Sequence, residues 1–213
     1  MRTFWTEYLS MDIQQFFAAP VASCIFLITI ITSLMAFRDG HLKYRFMLNP
    51  PRVFQQKDWQ TLFTSGLVHS DYWHLIFNML AFYFFAFQVE MIIGHWQFAV
   101  LYILSLLTGS LPSLIRHKDD SQYYTLGASG AISGVLFAAI MINPTAKIWF
   151  LITFPGWVFA LLFIGYSLYA SMRGGGRINH DGHLFGAIGG VVTLILLKPM
   201  VATDFVNWVS SVL

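Results

Sequence analysis

Three short stretches of this 213-residue sequence carry residue types that can break an acyl bond. Ser129 lies in Gly127-Ala128-Ser129-Gly130, His183 closes His180-Asp181-Gly182-His183, and His74 and Asn78 stand four residues apart with His69 just upstream. A serine hydroxyl becomes a nucleophile when a neighbouring imidazole takes its proton. Imidazole titrates near neutrality, so it can return that proton to a leaving amine. His74 and Asn78 would project from one helix face, one turn above the other, and both can donate to a developing negative oxygen. Ser129 follows a glycine at an expected helix start, where unpaired N–H groups and the positive end of the dipole favour an oxyanion. Together these are the minimum parts for acyl transfer.

Each part also has a plainer reading. Gly-x-Ser-Gly in an apolar helix serves packing wherever helices approach closely, and Gly130-xxx-Gly134 and Gly186-xxx-Gly190 fit that role whatever Ser129 does. His69, His74 and His183 could together face a metal, but no carboxylate is placed to complete the set, so no metal or other cofactor is expected. Asp181 could orient His183, yet residues two apart on a helix point to different faces. His95 and His117 fall near loops and are expected to be solvated.

Positioning such residues requires elements, and composition says what kind. Charged residues make up 10% of the chain against 57% hydrophobic and 17% aromatic, too few ionic groups to cover a soluble domain. The chain reads as an all-α, multi-pass integral membrane protein, a single domain over 1–213. Twelve Lys+Arg against ten Asp+Glu, without a basic stripe, argue against a nucleic-acid partner. The single cysteine, Cys24, excludes an intrachain disulfide. Val21-Ala22-Ser23-Cys24 looks like a lipoprotein cleavage box but begins a hydrophobic run instead of ending one. That run also lacks a basic segment before it and a cleavage site behind it, so it reads as a retained span.

Six apolar stretches are expected to cross the membrane, at about 20–37, 73–94, 97–115, 126–142, 157–172 and 181–197. Residues 38 to 72 form the longest loop, with a turn at Asn49-Pro50-Pro51 and a short interfacial helix suggested by Trp59, Leu62, Phe63 and Leu67. Glu90, near the end of the second span, is expected at the opposite headgroups. Phe154-Pro155-Gly156 predicts a break, with a membrane-hugging loop before it. Arg173-Gly174-Gly175-Gly176-Arg177 reads as a flexible linker. With six spans, the second, fourth and sixth all start on one side, which brings His74, Asn78, Ser129 and His183 to one depth.

In this order and register the residues resemble the rhomboid family of intramembrane serine proteases, over about Trp59 to Gly190. The resemblance rests on His69-xxxx-His74-xxx-Asn78, on Gly127-Ala128-Ser129-Gly130, and on His183-xx-Gly186-xxx-Gly190. It implies a six-transmembrane-helix bundle and a Ser129/His183 dyad without an acidic third member. It further implies an oxyanion site from His74, Asn78 and the Ser129 amide, and close packing of the sixth span on the fourth through Gly186 and Gly190. Residues 173 to 179 would correspond to a cap, and the fifth span to a lateral gate, with Phe82, Phe84 and Phe85 of the second span packing against it. Transmembrane protein segments would be the substrates and the lipid bilayer the surroundings.

The sequence departs from the family pattern in places. Trp59 is followed by Gln60 where arginine is common. Ser133 stands where an aromatic often packs on the histidine ring, so another group must position His183. Nine of the twelve Lys+Arg fall in the loops beside the expected active site. The positive-inside rule would put that side in the cytoplasm. The resemblance implies the reverse, with the termini cytoplasmic and the protein in a cell (inner) membrane. Two other functions are open to such a chain: a non-catalytic membrane-protein binder for quality control, and a small transporter. The second predicts inverted sequence repeats, and none is found.

Overall fold

The computed structural model describes residues 13–149, 153–173 and 179–212. Helix α1 (Ile13–Ala18) leads into α2 (Pro20–Arg38), and three short helices follow, α3 (Gly40–Phe46), α4 (Pro50–Gln56) and α5 (Thr61–Thr64), the last continued by a 3-10 turn at Ser65–Leu67. Then come α6 (Tyr72–Ile93), α7 (His95–Arg116), α8 (Ser129–Ile142), an antiparallel hairpin of β1 (Lys147–Trp149) and β2 (Thr153–Pro155), α9 (Gly156–Arg173), α10 (His180–Leu197) and α11 (Pro199–Val212).

Four of these helices, α2, α6, α7 and α10, are long and apolar enough to cross a membrane; α8 is apolar but has only 14 residues. A helix lies in each of the six expected stretches, although the one expected from 126 starts only at Ser129. The chain is not purely helical, however. The loop expected before Phe154-Pro155-Gly156 is in part a hairpin, with Lys147 opposite Pro155, and the helix starts directly after the proline. The glycine-rich linker at 174–178 lies outside the described residues.

The long first loop is built, not slack. Asp39 caps α3 by accepting from the amides of His41 and Leu42, and Asn49 caps α4 by accepting from Arg52, with Pro50 at the first helical position. Asn49-Pro50-Pro51, expected as a turn, thus opens a helix. Arg52 ties the loop to itself, pairing with Asp58 and donating to the carbonyls of Tyr44 and Arg45. The loop in turn grips the segment ahead of Ser129. Leu48 and Thr125 exchange backbone hydrogen bonds, Asn49 donates to the Tyr123 carbonyl, and Gly127 N donates to Ser65 O at 2.8 Å.

At the other end of α6, Glu90 is fully buried and accepts from the amides of Val21 and Ala22 at 3.1 and 2.6 Å. Those are two of the unpaired donors that begin α2, and the carboxylate satisfies them while gaining their dipole. It also meets His95 Nδ1 at 2.7 Å. Glu90 therefore faces the protein and fastens two helices, instead of reaching headgroups as expected, and His95 is engaged although its ring is partly exposed.

The centre is a close crossing of α7, α8 and α10. A Cβ added at Gly186 would run into the Gly130 carbonyl, and one at Gly190 into the backbone of Gly134. Gly109 of α7 meets the same crossing, its added Cβ falling 3.0 Å from Gly182 O and 3.2 Å from Gly130 Cα. Small residues let these backbones touch, and dispersion between them replaces the hydrophobic drive that lipid cannot supply. A second layer holds α2 and α6 against this trio through Phe82, Phe87, Phe98 and Leu101, all buried. Phe82 packs on Phe26, Phe98 and Tyr102. It therefore faces α2 and α7, not α9, which overturns its expected place at a gate. Successive helical residues turn about 100°, so Phe84 points about 160° away from Phe82, and the three rings cannot all face one neighbouring helix. Phe85 does sit with the cluster that includes Phe159 and Phe163.

Candidate active site

Ser129 is the first residue of α8, and what sets that start is Gly127. Its φ of +111° is a conformation L side chains rarely adopt, so the helix expected from Leu126 begins only at Ser129. The hydroxyl there meets His183 Nε2 at 2.8 Å, across 54 residues of sequence. His183 is held in place by the start of α10, where Asn179 accepts from the Gly182 amide and its own amide donates to Ser113 Oγ on α7.

His74 stands on the first turn of α6, which Asp71 caps by accepting from the His74 amide at 2.9 Å. That amide holds the Asp71 carboxyl below the usual carboxylate range. The His74 ring covers Gly127: a Cβ there would lie 2.8 Å from Cε1 and 3.0 Å from Nε2. Nδ1 meets Ser70 Oγ at 3.0 Å on the side of Asp71. Asn78, one turn on, is buried and donates from Nδ2 to the His74 carbonyl at 2.9 Å. One N–H of that amide is thus engaged within its own helix, leaving the other for a ligand.

His69 is fully buried behind this layer. Its Nδ1 meets Ser33 Oγ of α2 at 2.9 Å, and its ring stands edge-on to His74 at 4.9 Å between centroids. Burial, with the neighbouring His74 ring second, pushes its pKa down to about 3, so it is neutral near pH 7. The arrangement makes His69 a brace for His74. Among the described residues no group of three or more His, Cys, Asp or Glu is placed to hold a metal ion.

Asp181 is not directed at His183. Its carboxylate takes Arg116 of α7 and Ser171 of α9 instead, so the weighed possibility of an acidic orienting partner is not realised. His180 turns its ring edge to His183 at 5.8 Å, with its Nδ1 buried and without a hydrogen-bond partner. Ser133, where an aromatic was noted as missing, donates back to the Ser129 carbonyl. His117 stacks on Tyr123 at 3.6 Å and lies 3.5 Å from Asp120, so it too is engaged.

Ser129, His183, His74, Asn78, Gly127 and Gly130 are thus brought to one end of the bundle, while Gly186 and Gly190 make the contact that allows it. The residues that sequence reasoning missed are Asp71, Asn179, Ser70 and Phe163. Asp71 and Asn179 carried a signal, each being a capping residue type directly before an apolar helix. Geometrically, the hydroxyl and imidazole can exchange a proton, and the ring of His74 lies over the glycine two residues before Ser129.

The Rhomboid domain description matches residues 56–200, which contain every one of these positions. The chain is 29% identical over 168 residues to "RHOMBOID-like protein 12, mitochondrial" of Arabidopsis thaliana, covering 71% of this chain and 50% of that protein. It is 34% identical over 147 residues to "Rhomboid protein 1, mitochondrial" of Saccharomyces cerevisiae, covering 64% and 42%. It is 32% identical over 138 residues to "Rhomboid protease GluP" of Bacillus subtilis, covering 65% and 26%. The chain thus spans half or less of the length of these curated relatives. With the match extending over most of the chain and the apolar helices to carry it, this integral membrane protein belongs to the rhomboid family.

Proposed function

We propose that this chain is an intramembrane serine endopeptidase in which Ser129 attacks the peptide bond and His183 is its base. The observation that carries the proposal is the 2.8 Å contact between Ser129 Oγ and His183 Nε2 at a helix start covered by His74. Ser129 Oγ bonds to the scissile carbonyl carbon as its proton passes to His183 Nε2. The tetrahedral oxyanion takes hydrogen bonds from His74, Asn78 and the Ser129 amide. Collapse breaks the C–N bond, His183 protonates the departing amine, and water then releases the acyl group by the same route in reverse roles. Loss of one oxyanion donor typically costs about 10²- to 10³-fold in rate, which sets the expected penalty for His74→Ala or Asn78→Ala.

Six helices, α2, α6, α7, α8, α9 and α10, make the proposed membrane bundle, with the termini cytoplasmic. The 14 residues of α8 span only about 21 Å, against about 30 Å of hydrocarbon. With its far end at one interface, Ser129 lies below the other, at the depth of a transmembrane substrate. Such a substrate reaches it sideways, between α6 and α9, past the rings of Phe85 on α6 and of Phe159 and Phe163 on α9, which pack on the same cluster of Leu136, Phe137 and Ile140. The test is cleavage of a membrane-spanning reporter by the purified protein in liposomes. Ser129→Ala and His183→Ala should each abolish product while keeping the fold. Near-wild-type cleavage by either would end the proposal.

A further inference from the structure

His183 is fixed through Nε2 by Ser129, and the one carboxylate near it in sequence is committed elsewhere, to Arg116 and Ser171. A single hydrogen bond leaves an imidazole free to rotate about that contact, so its faces must be held by neighbours. Those neighbours come from α9 and from the preceding turn of α10. Phe163 lies 6.2 Å from the His183 ring centroid at 34°, and His180 lies 5.8 Å away at 77°. Tyr166 stands edge-on to His180 at 5.3 Å. Phe163 and Tyr166 are three apart on α9, as His180 and His183 are on α10, so one turn of aromatic rings meets one turn of imidazoles. Phe163 is itself braced by Phe137 of α8, at 5.4 Å and about two turns beyond Ser129.

We propose that Phe163 is a positioning residue for His183: its ring, backed by Phe137, holds the imidazole in the orientation that presents Nε2 to Ser129. This rests on the Ser129/His183 reading. It has a consequence for α9, whose only buried residues are Gly156 and Ser167 and which is therefore lightly held. The same helix that must move for a substrate to pass carries the brace for the base, so the site becomes competent only when α9 is seated.

The test uses the full chain in detergent and a soluble fluorophosphonate, which needs no passage between helices. Against wild type, Phe163→Tyr should react within about twofold, Phe163→Leu about threefold more slowly and Phe163→Ala about tenfold more slowly, since small displacements of reacting groups cost rate steeply. Leu161→Ala, on the lipid-exposed side of α9, should react as wild type does. The second readout is the NMR spectrum of isotopically labelled histidine. The ring-current displacement of the His183 C–H signals should survive in Phe163→Tyr and vanish in Phe163→Leu and Phe163→Ala. Should the alanine variant fail to fold, the leucine and tyrosine variants decide. Unchanged rates and His183 signals in the leucine and alanine variants overturn the inference, and so does faster labelling, which would make Phe163 a gate residue only. Equal labelling of wild type and Ser129→Ala removes the dyad itself, and with it this inference, and is recognisable as that separate failure.

Discussion

The imidazole of His74 occupies the space that a side chain at Gly127 would need, with Cε1 2.8 Å from the Cβ position. The same glycine holds φ at +111°, so the turn before Ser129 and the seat of His74 depend on one missing atom. Gly127→Ala must therefore both strain the backbone and push the His74 ring away. A loss of at least about 10²-fold in turnover is expected, comparable to removing an oxyanion donor. Reporter cleavage under saturating conditions checks it, and a variant within a fewfold of wild type would contradict it.

Asp181 bonds Arg116 and Ser171, so it joins α7, α9 and α10 without touching the base. Asp181→Asn should change turnover only severalfold, whereas loss of a true third triad member costs about 10⁴-fold. The Arg116 side chain is 59% exposed, so the stability change should also stay within about 1 kcal/mol. Turnover and thermal midpoint measured on the same preparation separate the two roles.

His69 supplies a pH dependence of stability. Its folded pKa is lowered to about 3 from 6.5, so between those values the unfolded chain binds the extra proton. Stability should be complete above about pH 6.5 and fall as pH drops towards 3; Asp71, also lowered, adds loss in the same direction at the acid end. His69→Asn should flatten the curve of thermal midpoint against pH below 6.5. An equally steep curve in the variant would show that other groups cause it.

Phe82 and Phe85 should part company when each is truncated. Phe82 is fully buried among Phe26, Phe98 and Tyr102, so Phe82→Ala should cost about 3 kcal/mol or more of stability without speeding cleavage. Phe85 lies at the proposed seam between α6 and α9, and Phe85→Ala should raise cleavage of a membrane-spanning substrate while leaving fluorophosphonate labelling unchanged. Slower cleavage by Phe85→Ala would place the path elsewhere.

What could be read from the sequence followed from helix length and period. Each expected span is a run of apolar residues broken by charge or proline, and six alternating spans would put the starts of α6, α8 and α10 on one side, the arrangement in which Ser129 can meet His183. Glycines four apart announced the α8–α10 contact because only a missing Cβ permits it. Partners far apart in sequence were not legible. Glu90 meets amides 68 and 69 residues away, and nothing near it marks a buried cap over one at the headgroups. Phe163 is one of 21 phenylalanines, and its place against His183 depends on the rotation of α9, which an apolar helix does not encode in its period. Period alone does show that Phe82 and Phe84, about 160° apart on α6, cannot both face α9, but not which of them turns away.

Mass-spectrometric mapping of a fluorophosphonate adduct on the purified protein tests the central claim most directly, because the reagent reports an activated serine without any assumption about substrate. The expected result is one adduct on the peptide containing Ser129, absent from Ser129→Ala and strongly reduced in His183→Ala. No adduct at Ser129 under conditions that label a control serine hydrolase, or an adduct on Ser129 that His183→Ala leaves undiminished, would contradict the account.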